Sequence, residues 1–241
     1  MSKYTILITG ATSGIGFEMA KQFAEAGHEV IALGRNVDRL KDVSDLSPNI
    51  FSRKFDVGEI PKIDSFISSL FEEFPQIDIL VNNAGIQYNV RVDADDYTNA
   101  QIEGEISINL TAPICLSRAA LPYLEKHPSG RIVNITSGLA YVPKTTSAVY
   151  SATKSGLHLF TEGLRVQSGN EIGVTEVILP IVATPMTEGR GSGKISATTA
   201  ANQIITGILK GQSKIYVGKT KALPFLLRWL PGVARRIIQK G

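Results

Sequence analysis

A tyrosine and a lysine four residues apart are the side chains of this sequence best suited to proton transfer. Tyr150 and Lys154 lie in a segment with helical patterning, so they share one helix face, one turn apart. A free tyrosine has a pKa near 10. For proton exchange at neutral pH the ionised form must be stabilised by about 4 kcal/mol, which would bring the pKa to about 7. We expect the Lys154 ammonium to lower the pKa of Tyr150. The same spacing is common on solvated helix faces, so the pair needs support from other residues.

A glycine-rich stretch near the start of the chain predicts a phosphate-binding turn. It follows the first predicted strand and opens the first predicted helix, where glycines let backbone N–H groups approach a pyrophosphate and the helix dipole favours an anion. The spacing is G-x-x-x-G-x-G rather than the common G-x-G-x-x-G. The alternative is a tight strand-to-helix turn without a ligand. The candidate cofactor residues in this turn are Gly10, Thr12, Ser13, Gly14, Ile15 and Gly16.

The residues after the second predicted strand favour NADP(H) over NAD(H). Enzymes that use NAD usually place a carboxylate there for the ribose hydroxyl, but this chain has Gly34 followed by Arg35. A guanidinium can pair with a 2′-phosphate through two hydrogen bonds. The alternative is that Arg35 only covers the surface of the sheet. The glycine turn has Ser13 where a second basic residue would reinforce the prediction of NADP(H).

The elements that must position these residues alternate between strands and helices. This order predicts a doubly wound parallel sheet, a Rossmann fold with helices on both faces, formed by one domain over residues 1–241. Consecutive apolar residues within the strands agree with burial on both faces. We predict strands at 4–9, 29–33, 49–55, 79–82, 131–136, 174–179 and 214–217, and helices at 14–26, 37–44, 60–74, 99–126, 148–168 and 198–210.

Taken together, the motifs resemble those of the short-chain dehydrogenases/reductases along the whole chain. The resemblance is carried by the glycine turn, by Asn82-Asn83-Ala84-Gly85, by Asn109 and Ser137, and by the Tyr150 and Lys154 pair. It implies that Tyr150 is the general acid/base and that Lys154 lowers its pKa and holds the nicotinamide ribose. It further implies that Ser137 polarises the substrate carbonyl and that Asn109 anchors a water of a proton relay.

The resemblance also assigns the rest of the cofactor site. Asn82 would support the sheet under the cofactor, and Ala84 and Gly85 would leave room for the adenine ribose. Asp56 would contact the adenine, although an acid at a strand end is also a common helix cap. Val182 and Thr184 would meet the carboxamide. The family usually has Pro-Gly before these two residues, whereas this chain has Leu179-Pro180-Ile181, so we expect less backbone freedom under the nicotinamide.

Finer similarities extend to the oxidoreductases encoded with bacterial D-alanine transfer genes. Leu80 to Gln87, Ser137 to Pro143 and Tyr216 to Lys219 carry this likeness. It strengthens the reaction class without naming the ketone or alcohol. The family resemblance also implies a homodimer or homotetramer, in which the two long predicted helices at 99–126 and 148–168 pair with their copies.

Composition narrows the range of partners and locations. The chain has 241 residues, 43% of them hydrophobic, and a net charge of +3 with its basic residues dispersed, which predicts no nucleic-acid partner. Cys115 is the single cysteine and no Cys/His cluster has ligand spacing, so we predict neither a disulfide nor a metal site. With no secretory pattern at the start, we expect a cytoplasmic protein.

Two segments depart from the regular alternation. Residues 184–195 are too rich in glycine for regular structure and are predicted to form a mobile substrate loop. Residues 221–241 are basic and amphipathic, interrupted at Pro231-Gly232, which would suit peripheral contact with an anionic membrane. We favour the alternative that this segment covers the substrate pocket or an interface between subunits.

The sequence therefore predicts an NADP(H)-dependent oxidoreductase that transfers a hydride to or from a carbonyl or secondary alcohol substrate, with Tyr150 moving the proton. One alternative is a nicotinamide-binding sensor or interaction module with little turnover, which the Leu179-Pro180 departure would favour. Another is a membrane-surface scaffold that uses the basic C-terminal segment.

Overall fold

Seven parallel strands form one sheet in the computed structural model. The structure describes residues 3–240. Met1 and Ser2 of the predicted domain, and Gly241 at the end of the predicted C-terminal segment, lie outside the described residues. The spatial order is β3-β2-β1-β4-β5-β6-β9. The strands β2 and β3 therefore lie on one side of β1, and the later strands, beginning with β4, lie on its other side. This confirms the predicted doubly wound sheet. The strands are β1 (Thr5–Ile8), β2 (Glu29–Gly34), β3 (Ile50–Lys54), β4 (Ile79–Asn82), β5 (Arg131–Ser137), β6 (Gly173–Leu179) and β9 (Lys214–Tyr216).

Helices cover both faces of the sheet. Met19 of the first helix and Ile204 of the seventh pack on one face, whereas Ile67 of the third and Leu116 of the fifth pack on the other. The helices are α1 (Gly14–Glu25), α2 (Val37–Ser44), α3 (Ile63–Glu73), α4 (Asn99–Ile106), α5 (Ala112–Leu124), α6 (Ala148–Ser168), α7 (Ala197–Leu209), α8 (Leu223–Trp229) and α9 (Pro231–Lys240). None of the helices within residues 3–240 is both long enough and apolar enough to cross a bilayer.

Burial on both faces explains why the strand sequences are apolar at successive positions. Ile6 and Ile8 of β1 belong to the core under α1 and α7, and Leu7 between them belongs to the core under α3 and α5. Since strand side chains alternate between faces, each face of a central strand needs its own apolar residues.

The predicted helix at 99–126 is wrong as a single regular element. It is divided into α4 and α5 by a π-helical turn over Ser107–Thr111, where the Ala112 N–H donates to the carbonyl of Ser107, five residues earlier. Asn109 lies in this turn, fully buried, with its side chain bonded to the backbone of Ile86. A π turn of this kind is frequent at functional sites because it redirects one side chain without ending the helix.

Two short strands that the sequence analysis missed flank the glycine-rich loop. Val182–Ala183 forms β7 and pairs in parallel with Ile195–Ser196, which forms β8. The predicted irregular segment therefore ends in a strand at Ile195, and it also contains a short 3-10 turn over Pro185–Thr187. The two ends of the loop are held together by this pairing.

A buried network of polar side chains joins the sheet to α5 and α6. The Asn82 amide of β4 donates to Asn134 Oδ1 of β5 at 2.8 Å and to Ser117 Oγ of α5 at 3.1 Å. The Asn134 amide donates to Thr161 Oγ1 of α6 at 2.9 Å. Asn134 and Thr161 are inaccessible to solvent, so each donor and acceptor depends on the others.

We predict that Asn134→Ala lowers the free energy of unfolding by about 2 to 4 kcal/mol, because it removes one acceptor of the buried Asn82 amide and the donor to Thr161 Oγ1, and opens a small cavity. Urea unfolding measures the change. Asn202→Ala, at an exposed position of α7, is the matched control and should change stability by less than about 0.5 kcal/mol. Equal effects of the two substitutions would show that the network does not stabilise the fold.

Candidate active site

A cleft of about 330 Å³ opens at the carboxyl ends of the strands, where the strand order reverses between β1 and β4. Ligands of open parallel sheets bind at this reversal of strand order. The lining includes most of the predicted cofactor residues, namely Gly10, Thr12, Ser13, Gly14, Ile15, Arg35, Asp56, Ala84, Gly85, Tyr150, Lys154 and Thr184. Three predicted cofactor residues are not in the lining: Gly16, Asn82 and Val182.

Glycine is required in the first turn because two strand ends meet there. Gly10 has a φ of +66°, and a Cβ on it would lie 2.9 Å from Ala84 Cα. A Cβ on Gly16 would lie 2.3 Å from the Gly10 carbonyl oxygen. Gly16 therefore permits close packing of the turn rather than contact with a ligand. The Ser13 side chain does not cap α1, which leaves the first-turn N–H groups for another acceptor.

The glycine turn is tied to the segment that follows β4. Thr9 Oγ1 accepts hydrogen bonds from the backbone N–H groups of Asn83 and Ala84, both at 3.0 Å. The Asn83 amide donates to the carbonyl of Thr9 at 2.9 Å. Asn83, which the sequence analysis did not assign, thus fixes both walls of the cleft, whereas Asn82 is buried in the network beneath.

Side chains at the outer end of the cleft suit an anion. A Cβ on Gly34 would lie 2.5 Å from Thr12 Cγ2, so the position that carries a carboxylate in many NAD enzymes has no room for one. Arg35 is exposed and lies 3.4 Å from Asp56, whose other oxygen accepts from the Gly58 N–H. Arg39, which the sequence analysis overlooked, also lines this end.

Tyr150 and Ser137 meet at the inner end of the cleft. The Ser137 hydroxyl is close enough to the Tyr150 hydroxyl to lower its pKa, because the first turn of α6 lies against the end of β5. Lys154 Nζ lies 5.7 Å from the centre of the Tyr150 ring and donates to the carbonyl of Ile135 at 2.9 Å. The structure therefore brings together three of the four predicted catalytic residues.

Asn109, the fourth, acts on the backbone next to them. Its amide donates to the Ile86 carbonyl and its Oδ1 accepts from the Ile86 N–H, both at 2.8 Å. A Cβ on Gly85 would lie 3.1 Å from Asn109 Oδ1 and 3.8 Å from Lys154 Nζ. Gly85 thus leaves open space between Asn109 and Lys154, and Asn109 positions the segment that lines this space.

The expected lowering of the pKa of Tyr150 is wrong for this structure. Burial of the hydroxyl, with a smaller contribution from the Glu105 carboxylate, raises the pKa of Tyr150 to about 12, although the Ser137 hydrogen bond and the Arg190 charge act in the opposite direction. Burial lowers the pKa of Lys154 to about 8. Desolvation outweighs attraction here because the Lys154 ammonium is directed at the Ile135 carbonyl.

Two charged residues near Tyr150 escaped the sequence analysis. Glu105 is fully buried and accepts hydrogen bonds from the Tyr97 hydroxyl at 2.7 Å and the Tyr88 N–H at 3.1 Å. Burial raises the pKa of this carboxyl. Glu105 precedes Asn109 by one helical turn, and in the sequence this spacing indicates that the two side chains share one helix face. Arg190 lies in the glycine-rich loop, which only the tertiary fold brings towards Tyr150.

The departure at Pro180-Ile181 leaves a regular backbone. Within residues 3–240 no peptide bond is cis and no residue other than glycine has a positive φ. Val182 is buried in β7, and Thr184 alone of the predicted carboxamide pair lines the cleft. The missing glycine is therefore accommodated without a positive φ at Ile181.

Three potential metal ligands come together away from the cleft. Oxygen and nitrogen atoms of His158, Glu162 and Glu176 lie within 4.8 Å of one another. Glu162 already pairs with Arg165 and Lys214, and Glu176 accepts from the Thr136 hydroxyl at 2.8 Å. Protein groups thus already satisfy both carboxylates.

Comparison with known proteins agrees with this geometry. The family model for short chain dehydrogenases matches residues 4–194. This chain belongs to the short-chain dehydrogenase family. It is 35% identical over 227 residues to the uncharacterized oxidoreductase DltE of Bacillus subtilis (strain 168), covering 89% of this chain and 88% of that protein, which confirms the predicted subgroup.

Two further similarities extend the comparison. The NADP-dependent 3-hydroxy acid dehydrogenase YdfG of Shigella flexneri is 34% identical over 178 residues, covering 71% of this chain and 70% of that protein. A solved short chain dehydrogenase from Burkholderia cenocepacia J2315, in complex with NADP, superposes with a TM-score of 0.86 over 98% of both chains at 23% identity. The latter likeness concerns the fold.

We predict that Lys154→Met changes the pH dependence of stability. A lysine whose pKa is about 8 when folded and near 10.5 when unfolded binds fewer protons in the native state between those values, so stability rises with pH there. The parent protein should gain about 2 kcal/mol relative to Lys154→Met between about pH 8 and pH 10. Urea unfolding at both pH values measures the difference.

Lys210→Met, at an exposed end of α7, is the control and should show no such change. A stability difference between the parent and Lys154→Met that stays constant with pH would contradict the lowered pKa of Lys154.

Proposed function

We propose that this short-chain dehydrogenase catalyses NADP(H)-dependent interconversion of a carbonyl compound and a secondary alcohol. The observation that carries the proposal is that Tyr150 and Lys154 line the inner end of a cleft that begins at the glycine turn, with the Ser137 hydroxyl next to Tyr150. These groups can bind one carbonyl oxygen and transfer a proton to it.

The residues present fit a nicotinamide dinucleotide phosphate. Gly14, Ile15 and the helix N terminus would hold the pyrophosphate, Ala84 and Gly85 would leave space for the ribose, and Thr184 would face the nicotinamide end. Arg35 and Arg39 would pair with the 2′-phosphate, where Gly34 leaves no room for a carboxylate. Bound NADPH would supply the hydride.

Each protein group then has a separate task. Ser137 donates a hydrogen bond to the substrate oxygen and so stabilises the negative charge that develops on it. Tyr150 donates its proton to the same oxygen. With a pKa of about 12 in the free protein, its hydroxyl is protonated at neutral pH, which suits reduction. Lys154 Nζ, with a pKa near 8, can exchange a proton with solvent at neutral pH.

Assembly and location complete the proposal. Leu159 and Val166 lie on α6 at a spacing of seven residues and are 68% and 83% exposed, which supports pairing of α6 with its copy in a homodimer or homotetramer. The single cysteine, Cys115, is free, which agrees with a cytoplasmic location.

We predict that Arg35→Ala and Arg39→Ala each weaken NADPH binding by about tenfold and leave NADH binding unchanged, because only NADPH carries the 2′-phosphate. Fluorescence titration of both nucleotides measures this. Arg91→Ala removes an exposed arginine that pairs with Asp93 outside the cleft and serves as the control. Tighter binding of NADH than NADPH by the parent protein would overturn the assignment of the phosphate site.

We predict that Tyr150→Phe reduces carbonyl-dependent NADPH oxidation at least about 100-fold while NADPH still binds, because the proton donor is lost and the cleft is retained. A panel of ketones and aldehydes supplies the substrates, and Tyr123→Phe on α5 is the control. If the parent protein binds NADPH but none of the ketones and aldehydes drives its oxidation, the result would favour the sensor or interaction module. A protein that binds neither nucleotide would contradict the role of the glycine turn.

A further inference from the structure

Large apolar side chains are exposed together on the last two helices. Phe225 and Trp229 of α8 are 61% and 64% exposed, and they lie four residues apart on one helix face. Leu230, between the helices, and Val233 of α9 are each 45% exposed. We call these four residues the C-terminal apolar surface. Trp229 is the only tryptophan of the chain. Clustered exposure of this kind marks an interaction surface, unlike apolar residues that are exposed singly.

The apolar surface belongs to the basic part of an unevenly charged chain. Residues 189–241 contain ten lysines and arginines and no acidic residue, whereas residues 1–188 contain fifteen basic and twenty-two acidic residues. The net charge of +3 hides this division. The partner of the C-terminal helices should therefore be negatively charged.

Basic side chains flank the apolar ones directly. Lys221 precedes α8, the Arg228 guanidinium carbon lies 5.5 Å from the centre of the Trp229 ring, and Arg235 and Arg236 are exposed on α9. A short helix with aromatic residues on one side and arginines beside them matches the boundary of a bilayer, where rings meet the acyl region and guanidinium groups meet phosphates.

The rest of the chain does not cover this surface. Helices α8 and α9 pack mainly on each other and on the 3-10 turn over Gly218–Ala222. Only Leu223 and Ala234 of the described side chains in the two helices are buried. No residue after Met186 lines the described cleft, so the segment does not contribute to the cofactor site.

We propose that α8 and α9 bind the surface of an anionic lipid bilayer, with Phe225, Trp229, Leu230 and Val233 in the interfacial layer and the neighbouring arginines and lysines at lipid phosphates. This inference does not depend on the proposed reaction. A two-fold contact with a second copy is disfavoured, because it would bring two strongly basic segments together without an acidic residue between them.

The position of the surface connects it to the catalytic end of the molecule. Leu223, which anchors α8, approaches Gly138, since a Cβ on Gly138 would lie 4.0 Å from Leu223 Cδ2. Gly138 directly follows Ser137. Membrane binding through α8 would hence hold the Ser137 side of the protein close to the bilayer.

The test is binding of the full chain to vesicles of phosphatidylglycerol and phosphatidylcholine, compared with phosphatidylcholine alone. We expect sedimentation with the anionic vesicles only, a blue shift of the Trp229 emission on binding, and affinity that falls several-fold when salt is raised from about 0.1 M to about 0.5 M. A parent protein that fails to bind the anionic vesicles would overturn the proposal.

Two pairs of variants separate the apolar and the electrostatic parts. Phe225→Ser should weaken vesicle binding by about tenfold, and Val92→Ser, at an exposed apolar position elsewhere, should not. Arg235→Glu should weaken binding more than Lys126→Glu, which makes the same change of charge at an exposed site outside the basic segment. Circular dichroism and thermal unfolding verify that each variant is folded.

Light scattering identifies the competing outcome. If Phe225→Ser dissociates an oligomer and leaves vesicle binding unchanged, the C-terminal apolar surface is an interface between copies and the membrane proposal is wrong. If it leaves the oligomer intact and weakens vesicle binding, the result supports the proposal. Because no nucleotide or carbonyl substrate is present, these outcomes are independent of whether the enzyme reduces carbonyls.

Discussion

The close approach of the ends of β1 and β4 is the contact on which the cleft depends. Gly10 and Ala84 meet almost backbone to backbone, and the Thr9 hydroxyl bonds two N–H groups of the facing segment. Any side chain at Gly10 would separate the strand ends. Because the strand order reverses here, the helices that follow β1 and β4 lie on opposite faces of the sheet, and a space for a ligand remains above the contact.

Desolvation dominates the electrostatics at the inner end of the cleft. Lys154 is buried and Tyr150 is half-buried between the sheet and α6, and the loss of solvation opposes ionisation of both and moves their pKa values in opposite directions. A tyrosine that keeps its proton and a lysine that readily loses one form an arrangement suited to giving a proton to a substrate oxygen. Glu105 and Arg190 act on Tyr150 with opposite signs, so its pKa reflects the loops as well as the helix that carries it.

Charge divides the molecule into two regions with different surroundings. The larger part carries an excess of acid, and the part after Glu188 carries only base. The glycine-rich loop with Arg190 and the C-terminal helices both belong to the basic part. The loop reaches the catalytic end, and α8 is anchored beside the residue after Ser137. The glycine-rich loop and the helices proposed to bind a membrane are therefore adjacent parts of one basic region.

The sequence alone predicted the alternation of strands and helices and the parallel sheet, because these depend on local periodicity and on turn residues, and its resemblance to the family's motifs predicted the Tyr150, Lys154 and Ser137 set. Only the tertiary structure decided which groups surround Tyr150 and which sign its pKa shift takes, since burial and long-range charges depend on residues distant in the chain. It also decided that Gly16 packs a turn, that Asn109 lies in a π-helical turn, and that Phe225 and Trp229 remain exposed. Each of these depends on what packs against the residue, and local sequence patterns do not specify such contacts.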